Sequence, residues 1–310
     1  MKIVFLTSVH PLLTYFDPLP RWQMEASRIR ALEEMGHKIR VIRYTPRSHI
    51  RLNLLERIWW NFRVTFNVIK QIATPRRGEA DNDRLIIFSL GADVLLPITI
   101  RLIKLISGAK LIVMSGVSPI TSGNPRERAM ARDFDLVLTN DDTHSRQWIK
   151  LGAIKAINLP LSAMDPELHY RRKVKKDIDL LFVGTLTQER NIFLNVLRTM
   201  LPKNINFVVK EFIWEEEYAR LMSRARIIIN PLRKEMKDGA NLRMFEVPAF
   251  GGLLLGNSGR KEWLRPGREM IVYKDVKDAV KEIIYYLKNK AERERIAKNG
   301  MLKAKCSRHT

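Results

Sequence analysis

Two carboxylates, Asp238 and Glu246, stand eight residues apart in the run Asp-Gly-Ala-Asn-Leu-Arg-Met-Phe-Glu. The run predicts a helix from about Asn241 to Phe250. Gly239, Ala240, Asn241 and Leu242 then fall where unpaired N-terminal amides and the positive dipole end would face an anion, with Arg243 as an added cation. Glu246 comes more than a turn later, at a depth suited to accepting from the two hydroxyls of a ribose. Asp238 precedes the helix and is placed to accept from sugar hydroxyls. Positive charge for a diphosphate beside acceptors for hydroxyls is the chemistry of a nucleotide sugar. The same spacing also occurs on solvated helix faces, so the run alone does not decide.

A second constellation lies upstream. Asp177 to Asn191 reads as strand, glycine turn and helix, in which Gly184 lets backbone approach a phosphate, Thr185 follows it, and Arg190 is placed to neutralise a departing diphosphate. The bland alternative is a strand-to-helix turn with a solvent-facing arginine. His10, Arg21, Ser115 and Gly116 follow predicted strands of the first half and are candidates to line an acceptor site. No Asp-x-Asp follows a second-half strand, since Asp177-Ile-Asp179 precedes one, and neither a metal nor another cofactor is expected.

The elements that must carry these groups alternate between short apolar runs and helical patterns, the mark of βα units and parallel sheets. Strands are expected at 2–7, 39–44, 85–89, 111–114, 136–139 and 156–159, then at 180–183, 206–209, 227–230, 253–255 and 270–273. The polar, basic stretch Pro166 to Lys176 breaks the pattern. The expected architecture is α/β: two Rossmann-like, doubly wound domains, 1–165 and 166–310, facing a cleft, with ligands outside the carboxyl ends of the strands.

At 310 residues and 45% hydrophobic, the chain has ample material for globular cores. One cysteine, Cys306, excludes an internal disulfide framework and suits a reducing, cytoplasmic setting. The formal charge of +22 is shared by both halves and suits nucleic acid, anionic lipid or a polyanionic substrate, or simply a solvated surface. Zinc spacing, aromatic RNA-binding motifs and helix-turn-helix signatures are not evident, which argues against nucleic acid. Leu55, Trp59, Phe62, Phe66 and Ile69 recur at helical spacing, flanked by Arg57, Trp60, Arg63 and Lys70. Such a stripe either packs against a sheet or lies on an anionic membrane, here the inner face.

The run from Asp238 to Glu246 resembles the E-x7-E region of retaining glycosyltransferases of GT-B architecture, with Asp238 in place of the first Glu. Its wording, Asn-x-Arg-x-Phe-Glu followed by Ala-x-Gly-Gly, is similar to the spore-maturation (CgeB-like) branch of the group-one, family-four-like enzymes. Arg28 to Ile42 with its Gly36-His37 junction, Phe134 to Asn140, Ile157 to Asp165, and the ending Ala297-x-x-Gly300 to His309-Thr310 extend the resemblance in order along the chain. It implies retaining, metal-independent transfer from a UDP- or GDP-sugar to a glycan, lipid-linked or small-molecule acceptor. Asp238, Arg190 and Glu246 would be catalytic, and Gly184, Thr185 and Gly239 to Glu246 would hold the donor. Two departures stand out: Thr185 replaces an expected arginine, and the first loop carries Asp17-Pro-Leu-Pro20 without a Gly-Gly pair. A GT-B sugar epimerase, a non-catalytic nucleotide-sugar binder and a basic nucleic-acid-binding protein are the competing readings.

Overall fold

The computed structural model of the chain describes residues 2–7, 24–43, 54–73, 85–90, 96–115, 118–120, 125–159, 164–232, 241–259 and 263–306. Two compact units divide it, Met1–Ala163 and Met164–Thr310.

In the first unit, β1 (Lys2–Thr7), β2 (Lys38–Arg43), β3 (Leu85–Leu90), β4 (Lys110–Ser115), β5 (Leu136–Thr139) and β6 (Ala156–Asn158) form one sheet in the order β2-β1-β3-β4-β5-β6. Every pairing is parallel. Strands buried on both faces need nearly continuous apolar sequence, which Leu111, Val113 and Val137 supply. Between the strands run α1 (Met24–Glu34), α2 (Leu54–Ala73), α3 (Pro97–Ser107), α4 (Pro125–Ala129) and α5 (Asp142–Lys150). Asp141 caps α5 by accepting from the amides of Thr143 and His144, and the helix delivers Trp148 onto Phe134 in the core at a ring separation of 5.7 Å.

Helix α2 is where the fold departs most from the apolar pattern. Its inward face is Asn61 and Val68, whereas Leu55, Trp59, Phe62 and Phe66 are 58–77% exposed and Ile69 is half-buried. The aromatic stripe therefore does not pack against the sheet. Asn61 is buried because it has work there: its Oδ1 accepts from the Leu96 amide at 2.8 Å and the Thr99 hydroxyl at 3.1 Å, supplying the start of α3 with a cap that Leu96 cannot provide.

In the second unit, β7 (Ile178–Val183), β8 (Phe207–Lys210), β9 (Ala225–Asn230), β10 (Leu253–Gly256) and β11 (Ile271–Val272) form a parallel sheet in the order β11-β10-β9-β7-β8. Helices α6 (Gln188–Met200), α7 (Glu215–Arg224), α8 (Arg243–Ala249), α9 (Val276–Lys288) and α10 (Lys290–Cys306) alternate with the strands or close the unit. Leu180, Phe182, Ile227, Leu253, Leu194 and Ile283 share its core. The chain leaves β7 to one side, forms β8, then returns to build β9, β10 and β11 on the other, so the order reverses between β7 and β9.

The polar stretch before β7 belongs to this unit. The Arg172 amide donates to Ser223 Oγ at 3.0 Å, its guanidinium pairs with Glu216 at 2.8 Å, and Asp165 and His169 are buried. All eleven expected strands are present, with no end more than two residues from its expected place. Replacing Asn61 with Ala removes the acceptor of the buried Thr99 hydroxyl and of the part-buried Leu96 amide, and a loss of about 1–3 kcal/mol is expected in chemical denaturation.

Candidate functional site

In open parallel sheets the crevice at the carboxyl ends of the strands, where the order reverses, is the place for a ligand. In the second unit that place is bounded by the turn after β7 and the segment after β9. Gly184 ends β7 at φ +150°, a conformation that side chains resist, and its amide donates to Lys210 O at 3.1 Å. The next turn is held by the Leu186 amide on Glu211 Oε1 at 2.5 Å, and Thr187 caps α6 by accepting from the Arg190 amide. This capping aims Arg190 back over the turn. Its Nη1 donates to Thr185 O and its Nε to Pro231 O, both at 3.1 Å, so one guanidinium spans the ends of β7 and β9.

The segment after β9 is pinned at both ends by paired amides. Asn230 and Asn241 exchange hydrogen bonds of 2.9 and 2.8 Å, while Asn257 accepts from the Leu232 amide and donates to the Leu232 carbonyl. Asp238, Gly239 and Ala240 lie between these anchors, outside the described residues. Helix α8 begins at Arg243, not Asn241, because the Asn241 side chain is committed to Asn230 and Leu242 carries no side-chain cap. Only seven residues long, it presents a shorter N-terminus than the sequence pattern predicts.

Glu246 is 3% exposed. Its Oε2 accepts from the Tyr218 hydroxyl at 2.6 Å and from Arg243 Nη1, and its Oε1 lies 3.6 Å from His169 Nε2. Burial pushes this carboxyl up, but Arg243, with support from His169 and Tyr218, outweighs it and holds the group below the usual carboxylate range. The Tyr218 hydroxyl is driven well up by burial and by Glu246, so it stays a donor. Phe250 packs edge-on to Tyr218 at 5.7 Å and lies 5.9 Å from His169. Arg243 also donates from Nε to Val183 O at 3.1 Å, immediately before Gly184. Glu246 thus fixes a second cation beside the glycine turn.

The site residues Gly184, Thr185, Arg190, Asn241, Leu242, Arg243 and Glu246 all gather at this end of the second sheet. Ser115 is buried at the end of β4 in the first unit, while His10, Arg21 and Gly116 lie outside the described residues. Asp177 and Asp179 are at the opposite end of β7, paired with Arg224 and Arg226. Among the described residues no three His, Cys, Asp or Glu side chains converge on a point. Sequence reasoning passed over Tyr218, His169 and the asparagine pair. Only Tyr218 left a signal, as the aromatic of an apolar face shared with Ala219 and Met222.

Removing one member of a buried ion pair is far more damaging than removing both. Glu246→Gln is therefore expected to lose about 3–5 kcal/mol, with part of it recovered in Glu246→Gln/Arg243→Met. Because the folded carboxyl titrates below its unfolded value, its contribution is complete above about pH 4.5 and lost as pH falls through the folded value. The gap between wild type and Glu246→Gln, followed by denaturation against pH, should close on the acid side.

Residues 170–310 match the sequence model of a family described as glycosyl transferase-like. No curated protein matches the sequence. Among solved structures, Anabaena HepE in complex with UDP-glucose is similar at a TM-score of 0.66 and 12% identity, covering 99% of this chain and 95% of its own. An alpha-glucosyltransferase in complex with UDP-glucose and DNA gives 0.61 and 12%, covering 98% and 95%. A putative UDP-N-acetylglucosamine 2-epimerase from Listeria monocytogenes gives 0.55 and 12%, covering 98% and 94%. With parallel α/β units on both sides of residue 163 and likeness along nearly its whole length, the chain has the GT-B fold, and its second unit carries the glycosyl transferase-like match.

Proposed function

We propose that this protein is a glycosyltransferase that moves a sugar from a nucleotide sugar onto an acceptor hydroxyl, with the donor held at the carboxyl ends of β7 and β9. The observation that carries this is Arg190 laid across the strand-order reversal beside the Gly184 turn, within the stretch that matches a glycosyl transferase-like family. Solved neighbours in complex with UDP-glucose favour a UDP-sugar over a GDP-sugar.

In the proposed reaction the bond from the anomeric carbon to the diphosphate oxygen breaks, and the electron pair leaves with the diphosphate. The acceptor oxygen bonds to the same face of the sugar, and its proton passes to the departing diphosphate. Stabilising that developing charge is the protein's main task. Arg190 is the principal cation, and Arg243 takes the place of the arginine that Thr185 replaces. Glu246 acts chiefly by holding Arg243 in place, and a ribose contact would fall to its Oε1, the oxygen nearer His169. Asp238, which in sequence precedes the anchored Asn241, addresses the hydroxyls of the sugar. In this reading cations do the work without a metal, and retention and the spore-maturation branch rest on the resemblance of the Asp238 to Glu246 run to that group.

The acceptor falls to the first unit, and the exposed stripe of α2 favours a lipid-linked one. Trp59 and Phe62, 63% and 62% exposed and stacked at 6.0 Å, are flanked by exposed Arg63 and Lys70, an arrangement that suits an anionic bilayer surface. No described helix is long and apolar enough to cross a membrane.

Wild-type protein given UDP-glucose or UDP-N-acetylglucosamine is expected to release UDP slowly, with water standing in for the acceptor hydroxyl, and Arg190→Ala to slow that release about 100-fold or more. An isomerised nucleotide sugar without UDP release would replace transfer with epimerisation. EDTA should leave turnover unchanged, and anomeric proton couplings of the product should show retention. Lost turnover or an inverted product would overturn those two elements. The protein should float with anionic vesicles, and Trp59→Ser/Phe62→Ser should not. Failure of the wild type to bind at moderate salt would remove the membrane from the account.

A further inference from the structure

The second unit has another concave site, at the opposite edge of its sheet. Lys176 stands two residues before β7, Ala225 opens β9, and Gly251 stands two residues before β10. In a parallel sheet these N-terminal ends share one edge, and a six-residue strand separates them from the Gly184 turn by about 20 Å. A cavity of about 410 Å3 opens here, lined by Arg171, Lys176 and Gly251 and by one face of α10, where Glu294, Ala297, Lys298 and Met301 recur at helical spacing. That volume lies within the range of about 300–1,000 Å3 usual for small-molecule sites.

The charge of the cavity is lopsided: three cations against one carboxylate. Lys176 is locked in place, its ammonium donating to Ala225 O at 2.5 Å and Gly251 O at 2.9 Å. In its protonated form, which a bound anion would favour, the ammonium has three donors, and these two carbonyls leave one over. Burial, with Arg171 and Arg293 close by, pushes the Lys176 pKa down to about 7, which marks a place where positive charge is crowded and poorly solvated. Arg226 and Arg293 add to the crowding, although Arg226 is paired with Asp179 and Arg293 donates to Tyr286 O. Gly251 makes the crowding possible. Its φ is +76°, and a Cβ there would stand 2.9 Å from Arg171 Cδ, so only glycine lets Arg171 lie across the turn that holds Lys176.

We propose that this cavity is a binding site for a small phosphate monoester. The phosphate sits among Lys176, Arg171 and Lys298, the ester body runs along Ala297 and Met301, and Glu294 accepts from a hydroxyl of that body. The site uses no group placed at the donor end of the sheet, so donor and monoester bind the same unit independently.

Calorimetric titration of the full chain with glycerol 3-phosphate and with inorganic phosphate tests this. The ester should bind saturably and more tightly than phosphate. Lys298→Glu and Arg171→Glu, both at exposed positions, should each weaken it about tenfold or more, and Arg190→Ala should leave it unchanged. Lys176→Met should abolish binding, and the two surface variants carry the test if that protein does not fold. Phosphate binding as tightly as the ester would overturn the ester assignment. Absence of saturable binding, or binding lost in Arg190→Ala and kept in Lys298→Glu, would overturn the site.

Discussion

A buried carboxylate, Glu246, is paired with the half-buried guanidinium of Arg243 at the end of β7, and several elements of the second unit meet at that pair. Removing either charge from water is expensive, and the pair is tolerable only where further donors complete the shell. Tyr218 comes from α7, His169 from the segment before β7, and Arg243 reaches the last carbonyl of β7. One interaction therefore registers the entry segment, two helices and a strand end against each other. Its apolar backing, Phe250 against Tyr218 and His169, excludes the water that would otherwise weaken it.

The same constraint shapes the site. With Arg243 tethered to Val183 O and Arg190 to Thr185 O, two guanidiniums bracket the Gly184 turn, one on either side of the residue whose φ of +150° excludes a side chain. Arg190 also reaches Pro231 O, so its guanidinium spans the two strands between which the sheet order reverses. Asn230 and Asn257 then hold Asn241 and Leu232, the described residues that flank Asp238 in sequence. A leaving diphosphate would meet charge already in position, and preorganised charge is what accelerates such a step.

Much of the scaffold was legible from residue pattern alone, because parallel strands buried on both faces demand uninterrupted apolar runs such as Ile178–Val183 and Ala225–Asn230. Helix α2 stayed undecided between two readings for a matching reason. Periodicity reports that a face is apolar but not what it faces, and the smaller face with Asn61 and Val68 took the interior. The stretch from Pro166 to Lys176 read as the start of the second domain because it is polar, and its polar groups are paired with Ser223, Glu216 and two backbone carbonyls of the second unit. Glu246 was found by spacing, but its partners were not: Tyr218 is 28 residues away and His169 lies in a different segment, and such contacts leave no local signature. The start of α8 slipped by two residues for the same reason, since Asn241 is claimed by Asn230 across the sheet end.

The most direct test of a donor site at the ends of β7 and β9 is a thermal-shift panel of UDP-, GDP-, ADP- and dTDP-sugars against the full chain and its Arg190→Ala variant. The account predicts selective stabilisation by one nucleotide class, lost in the variant. Folded wild-type protein that no nucleotide sugar stabilises, or stabilisation indifferent to Arg190, would contradict it.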